Sequence, residues 1–73
     1  MYKVYGRTDC SFCDKAKAML DRFKEEYVYI NVDNDDEALG FIVTSGYKSV
    51  PQIFYNDEHV GGYNELQKHI FTK

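Results

Sequence analysis

The chain has 73 residues, which is room for one domain, predicted here to span residues 1–73. Its nine basic and twelve acidic residues give a net charge of −3, without the basic stripe that binds nucleic acid. No stretch approaches the roughly 18 apolar residues of a membrane span, and the first residues lack the apolar core of a secretion signal. We therefore expect a cytoplasmic protein that binds neither nucleic acid nor membranes.

The N-terminal half alternates strand and helix patterns. A short strand at residues 3–5 precedes apolar residues at helical spacing, which predict a helix over residues 11–26. The β-branched and aromatic run at residues 27–32 predicts a second strand. Capping and acidic residues at 33–37 mark the start of a second helix, and Gly46 suits its C-terminal end.

The C-terminal half predicts two strands and a helix after an interruption at residues 50–51. The strands at residues 52–55 and 59–60 flank a short turn, so we expect them to pair antiparallel. Asn64 and Glu65 can open the last helix. The order β-α-β-α-β-β-α gives an α/β fold with a mixed four-stranded sheet flanked by helices. Four large rings are expected in the core: Phe23, Tyr27, Phe41 and Phe54.

The cysteine pair Cys10 and Cys13 follows the first strand and opens the first predicted helix. Free N–H groups and the helix dipole favour an anion there, so they stabilise a thiolate. The surrounding residues 1–24 add a positive field, since they hold six Lys or Arg against three Asp. Cys10, the outer thiol, is predicted to attack a disulfide, and Cys13 to resolve the mixed disulfide.

A structural disulfide and a zinc site are the alternatives for this pair. Secreted chains of this size more often carry about four to eight cysteines, and a bridge across three positions restrains the unfolded chain little. A zinc knuckle needs a second pair of ligands. His59 and His69 are ten residues apart and fall on different predicted elements. We therefore predict no metal site.

Three motifs, taken in order along the chain, are similar to those of the glutaredoxin family. They are Arg-Thr-Asp-Cys-Ser-Phe-Cys at residues 7–13, Ser-Val-Pro at residues 49–51, and Gly-Gly-Tyr-Asn-Glu at residues 61–65. The resemblance covers nearly the whole chain. It implies a thioredoxin fold and the use of glutathione as the reductant.

The resemblance also implies a groove that binds glutathione. Arg7 matches the basic position that faces the glycine carboxylate of the tripeptide. Val50 precedes Pro51, which matches the cis proline of the family, and the backbone of Val50 would pair with glutathione like an added strand. Gly62 would allow the ligand to approach closely.

The remaining groove positions lie in the cysteine loop and at the start of the last helix. Phe12 matches the usual Tyr of the loop and keeps an aromatic wall without the hydroxyl. Asn64 and Glu65 match the positions that receive the γ-glutamyl end of glutathione. Tyr63 is assigned either to the rim of this groove or to the core. Ser11 stands where the family most often has proline, and some members with Ser there bind an iron–sulfur cluster between two subunits.

These features predict a glutathione-dependent oxidoreductase that reduces protein disulfides and glutathione mixed disulfides. Two alternatives stay open, which are a redoxin recharged by thioredoxin reductase and, less favoured, a dimer with a glutathione-ligated iron–sulfur cluster. The expected partners are glutathione and disulfide-containing proteins, and we expect a monomer. Ribonucleotide reductase is a candidate client, because short relatives such as the NrdH-redoxins serve that enzyme.

Overall fold

The computed structural model describes residues 1–72, and Lys73, the last residue of the predicted domain 1–73, lies outside the described residues. Within residues 1–72, four strands and three α-helices follow the predicted order. They are β1 (Tyr2–Gly6), α1 (Ser11–Arg22), β2 (Tyr27–Asn31), α2 (Asp36–Thr44), β3 (Gln52–Tyr55), β4 (Glu58–Gly61) and α3 (Tyr63–Thr72), with a 3-10 turn over Val32–Asn34. No helix in this described part is long and apolar enough to cross a membrane.

The four strands form one mixed sheet in the order β2-β1-β3-β4. β1 runs parallel to β2, with Tyr2 opposite Tyr27, and antiparallel to β3. β3 and β4 form an antiparallel hairpin. Its turn places Asn56 at φ 48° and Asp57 at φ 72°, and these residue types tolerate the left-handed region that such a turn needs. The predicted fold class, a mixed four-stranded sheet flanked by helices, is confirmed.

Side chains that alternate along β1 contribute to two separate cores. The larger core packs the sheet against α1 and α3, and its buried members are Tyr2, Val4, Ala16, Leu20, Ile53, Leu66 and Ile70. Tyr5 packs instead against a smaller core beside α2, formed by Val32, Ala38 and Ile42. The larger core therefore fixes α1, which carries the cysteine pair, against both the sheet and α3.

Helix α1 ends at Arg22, four residues before its predicted end. Lys24 adopts φ 57°, and its N–H donates to the carbonyl of Asp21 at 3.1 Å. The N–H of Glu25 donates to the carbonyl of Leu20 at 2.9 Å. This is a Schellman end with lysine where glycine is usual. The prediction is wrong here because no glycine marks the stop.

The boundaries of α2 agree with their predicted signals. Asp35 caps the helix, and its carboxylate accepts a hydrogen bond from the backbone N–H of Ala38 at 3.1 Å. Gly46 lies just past the C-terminal end at φ +83°, and the N–H of Tyr47 donates to the carbonyl of Ile42 at 3.1 Å. The predicted glycine end of this helix is confirmed.

Two aromatic side chains predicted for the core are exposed instead. Phe23 is 40% exposed and Phe41 is 42% exposed. Because α1 ends before Phe23, that ring leaves the buried stripe and meets Phe71 of α3 edge-on, with 5.4 Å between centroids. The ring of Phe41 lies against that of Tyr5, with 5.3 Å between their centroids, outside the buried part of the smaller core. Tyr2, which the helical pattern could not indicate, is buried in the larger core.

Candidate active site

Cys10 and Cys13 form a disulfide in the first turn of α1. Cys10 is the N-cap residue and is partly exposed, whereas Cys13 is fully buried. The backbone N–H of Cys13 donates to the Cys10 sulfur at 3.1 Å. After reduction, a thiolate on Cys10 would meet this same donor and the positive end of the helix dipole. Cys10 is therefore the more exposed residue of the pair, which is the position that the predicted role of a nucleophile requires.

Asp33 holds the loop that leads from β1 to Cys10. One oxygen of its carboxylate, Oδ2, accepts the backbone N–H of Thr8 at 3.0 Å. The other, Oδ1, lies 3.2 Å from both Nε and Nη2 of Arg7. The side chain of Asn31 donates to the Thr8 hydroxyl at 3.1 Å. The Thr8 N–H is the main cause that lowers the pKa of Asp33, and the Arg7 charge adds to it against an opposing effect of burial.

This role of Asp33 is a correction to the sequence prediction, which gave that residue only a place in an acidic helix start. Arg7 directly follows β1, and Asp33 lies two residues after β2. Because neighbouring parallel strands end at the same edge of a sheet, topology brings these two residues together. Because Arg7 and Asp33 are 26 positions apart, their contact could be predicted only by first pairing β1 with β2.

We expect Asp33→Asn to lower the free energy of unfolding at neutral pH. In acid, we expect the variant and the parent to have the same stability. The folded pKa of Asp33 is depressed, so its carboxylate adds stability above the unfolded pKa of about 4, and this contribution disappears as pH falls through the folded pKa. Urea unfolding of parent and variant at pH 7 and at about pH 2 measures the difference. Asp36→Asn, at the exposed start of α2, is the matched control. A deficit that persists unchanged at the acid pH would contradict this assignment.

A cleft of about 210 Å³ lies next to the cysteine loop. Its lining contains all but one of the residues predicted for the glutathione groove, together with Ser49: Phe12, Ser49, Val50, Pro51, Gly62, Tyr63, Asn64 and Glu65. The exception is Arg7, which lines a neighbouring cavity of about 230 Å³. Ser49 and Val50 line both cavities. Ser49 was not predicted as a site residue, although it lies in one of the three motifs.

One wall of the cleft is the segment before β3. The Val50–Pro51 peptide bond is cis, as the resemblance implies. The Cys10 sulfur lies 4.0 Å from the carbonyl oxygen of Val50, so this backbone lies beside the predicted nucleophile. Buried Gln52 braces the segment, because its side chain donates to the Ser49 carbonyl at 2.7 Å and pairs with His59 at 2.8 Å. His59 thereby helps to hold this wall in place.

The start of α3 forms another part of the cleft wall. The N–H of Gly62 donates to the carboxylate of Glu65 at 2.8 Å, which is half of a capping box. Gly61 adopts φ +127°, and a Cβ built there would lie 2.7 Å from Cγ of Glu65. At Gly62 the nearest atom, Oε1 of Glu65, would lie at 3.3 Å. The stricter need for glycine is therefore at Gly61, which the sequence prediction did not single out.

The rings of Phe12 and Tyr63 connect the two helices beside the cysteine pair. Their centroids are 6.0 Å apart, and the ammonium of Lys15 lies 4.8 Å from the centroid of Phe12. Tyr63 is half-buried, packs against the larger core and also lines the cleft. Tyr63 therefore belongs both to the rim of the cleft and to the edge of the core, the two alternatives that the sequence did not separate. Among residues 1–72, no group of three or more His, Cys, Asp or Glu is placed to hold a metal ion.

Comparison with known proteins gives a consistent result. Residues 2–60 match the family model for glutaredoxin. Glutaredoxin 1 of Rickettsia prowazekii is 46% identical over 66 residues, which cover 86% of this chain and 70% of that relative. The sequence similarity and the position of the cysteine pair at the start of α1 thus indicate the same family.

Two solved structures share the fold. Buckwheat glutaredoxin, solved as a complex with glutathione, has a TM-score of 0.79 at 24% identity, over 96% of this chain and 68% of that one. NrdH-redoxin from Escherichia coli, which has a thioredoxin-like activity profile, has a TM-score of 0.81 at 23% identity, over 92% of this chain and 91% of that one. These likenesses confirm the thioredoxin fold and leave the electron source open.

Proposed function

The chain belongs to the glutaredoxin family of thiol–disulfide oxidoreductases, and on that premise we propose that it reduces disulfides with electrons from glutathione. One observation carries the proposal. Cys10 is a partly exposed N-cap cysteine, and its sulfur lies 4.0 Å from the carbonyl oxygen of Val50, a residue that lines the cleft. That placement joins a reactive sulfur to a backbone that can receive an extended peptide.

The proposed reaction uses the two cysteines in turn. The Cys10 thiolate attacks one sulfur of a client disulfide, forms a mixed disulfide with it and releases the other sulfur as a thiolate. The Cys13 thiolate then attacks the Cys10 sulfur, releases the client's second thiolate and leaves the Cys10–Cys13 disulfide. The two Cα atoms are 5.2 Å apart, within the range of a disulfide. Two glutathione molecules finally restore the dithiol and leave as oxidised glutathione.

Three features of the cleft and the cavity beside it suit an anionic tripeptide. The backbone of Val50 offers strand-like pairing beside the reacting sulfur. The first-turn N–H groups of α3 lack intrahelical acceptors, so those of Tyr63 and Asn64 can receive a carboxylate. Arg7 adds a cation, and its five N–H donors exceed what the single carboxylate of Asp33 accepts. Such a reaction belongs in a reducing compartment such as the cytoplasm, and ribonucleotide reductase is a candidate client there.

A coupled assay of NADPH consumption on a small dialkyl disulfide tests the electron source. One arm contains glutathione and glutathione reductase, and the other contains thioredoxin reductase. We expect turnover in the glutathione arm. Turnover confined to the thioredoxin reductase arm would contradict the proposal and support the redoxin alternative.

The same assay tests the cleft with a matched pair of variants. Arg7→Gln removes the cation near the cleft, so we expect the KM for glutathione to rise by about three- to tenfold, the range of one partly exposed charge contact. Lys68→Gln removes an exposed cation on α3 in a different cavity and should leave that KM within about twofold. Equal effects of the two substitutions would remove Arg7 from the proposed site.

A further inference from the structure

A second groove, of about 390 Å³, lies between α1 and α3 outside the cleft assigned to glutathione. We call it the α1–α3 groove. Its lining residues are Lys15, Ala18, Met19, Arg22, Phe23, Tyr63, Gln67 and Phe71. The proposed reduction by glutathione uses none of these residues except Tyr63, so the groove has no role in the mechanism above.

The chemistry of the α1–α3 groove is apolar with basic residues. Phe71 is 64% exposed, and its ring meets that of Phe23 edge-on, which leaves two aromatic surfaces open to a partner. Lys15 and Arg22 are seven positions apart on α1, which places them on one face of the helix. None of the described residues that line the groove is acidic. In a chain of net charge −3, this surface favours an acidic partner that also carries an apolar side chain.

The α1–α3 groove is continuous with the cysteine site. Tyr63 lines both the groove and the cleft, and its ring lies 6.0 Å from that of Phe12. The ammonium of Lys15 lies over the same Phe12 ring. Arg22 is twelve residues after Cys10, which is about 18 Å along a helix at 1.5 Å per residue. An extended segment of roughly five or six residues covers that distance.

From this continuity we propose that the α1–α3 groove docks the polypeptide of a client protein while Cys10 attacks its disulfide. The client segment is acidic, carries an aromatic or large aliphatic side chain, and lies about five or six residues from the attacked cysteine. Its acidic groups face Lys15 and Arg22, and its apolar side chain packs on the exposed surfaces of the Phe23 and Phe71 rings. The inference rests on the proposed disulfide reductase function and names the class of client that this function serves.

Two matched disulfide peptides test the docking. Both contain the same reducible disulfide and a Phe at the stated distance, and they differ only in flanking residues, which are Asp and Glu in one and Asn and Gln in the other. We expect the parent to show a kcat/KM about three- to tenfold higher for the acidic peptide, the range of one or two exposed charge contacts. The preference should shrink at high salt, because screening weakens exposed charge pairs.

Two variants assign that preference to the α1–α3 groove. Arg22→Gln removes a cation, and Gln67→Glu adds an acid without removing a packed ring, so each should lower the preference at least twofold. Lys68→Gln, outside the groove, should keep the preference of the parent. Turnover of the small dialkyl disulfide should be equal in all these proteins, since that substrate is too short to reach Arg22. Thermal unfolding of each variant establishes that it is folded.

The outcomes separate the docking from the proposed function. Equal kcat/KM for the two peptides, or a preference that both groove variants retain, overturns the docking while turnover of the small disulfide upholds the function. Absence of turnover with every substrate overturns the function itself. Sedimentation that shows the parent as a dimer and Gln67→Glu as a monomer would assign the groove to a second copy of the chain and overturn the docking of a client.

Discussion

Leu20→Ala is expected to lower the free energy of unfolding by about 2–5 kcal/mol, the range for a buried leucine truncated in a packed core. Leu20 is fully buried and belongs to the larger core together with Tyr2, Val4 and Ile53. Its loss removes apolar burial and leaves a cavity that the fixed sheet cannot close. At roughly 0.05–0.15 kcal/mol per residue, a chain of this length has a total stability of about 4–11 kcal/mol. One truncation therefore removes a large share of it.

Urea unfolding of the oxidised parent and of the variant measures this loss. Leu39→Ala is the matched control, because Leu39 is 40% exposed on α2 and should cost less than about 1 kcal/mol. The slope of unfolding free energy against urea should be similar in the three proteins, so that a shift of the midpoint reports a change in stability alone. Equal losses for the two substitutions would contradict the assignment of Leu20 to the centre of the core.

Sequence periodicity predicted the order of the elements but not every boundary. Gly46 marks the end of α2 in the sequence because glycine is the usual residue in the left-handed position. Lys24 occupies the same left-handed position after α1, and lysine is not a residue type that predicts a helix end. The burial of Phe23 depended on that boundary, so one missed stop also misplaced a ring. The burial of Tyr2 depends on how β1, β3, α1 and α3 pack together, which a local pattern does not contain.

The candidate site divides in a similar way. The position of Cys10 at a helix N-terminus follows from a strand, a C-x-x-C pair and a helical pattern, all of which are local signals. The cleft lining was open to prediction only through the family resemblance, because Phe12, Val50 and Asn64 are far apart in the chain. Asp33 and the α1–α3 groove were missed, since each depends on contacts between elements that pair only in the folded protein.

The two cysteines are proposed to carry out different steps of the reaction, and Cys13→Ser separates their roles. The substitution keeps the backbone N–H that donates to the Cys10 sulfur at 3.1 Å, so the nucleophile retains its local stabilisation. It removes the only thiol that can attack the Cys10 sulfur from within the described part of the chain. We therefore expect reduction of a protein disulfide to fall by about tenfold to a hundredfold. We propose that reduction of a glutathione mixed disulfide uses Cys10 alone, so this activity should stay within about threefold of the parent.

The most direct test measures both activities side by side for the parent, Cys13→Ser and Cys10→Ser, with glutathione and glutathione reductase as the electron source. Thermal unfolding of the reduced proteins controls for the buried position of Cys13. We predict that Cys10→Ser loses both activities, whereas Cys13→Ser loses only the reduction of the protein disulfide and accumulates a mixed disulfide at Cys10. Equal loss of both activities in a folded Cys13→Ser protein would contradict this prediction.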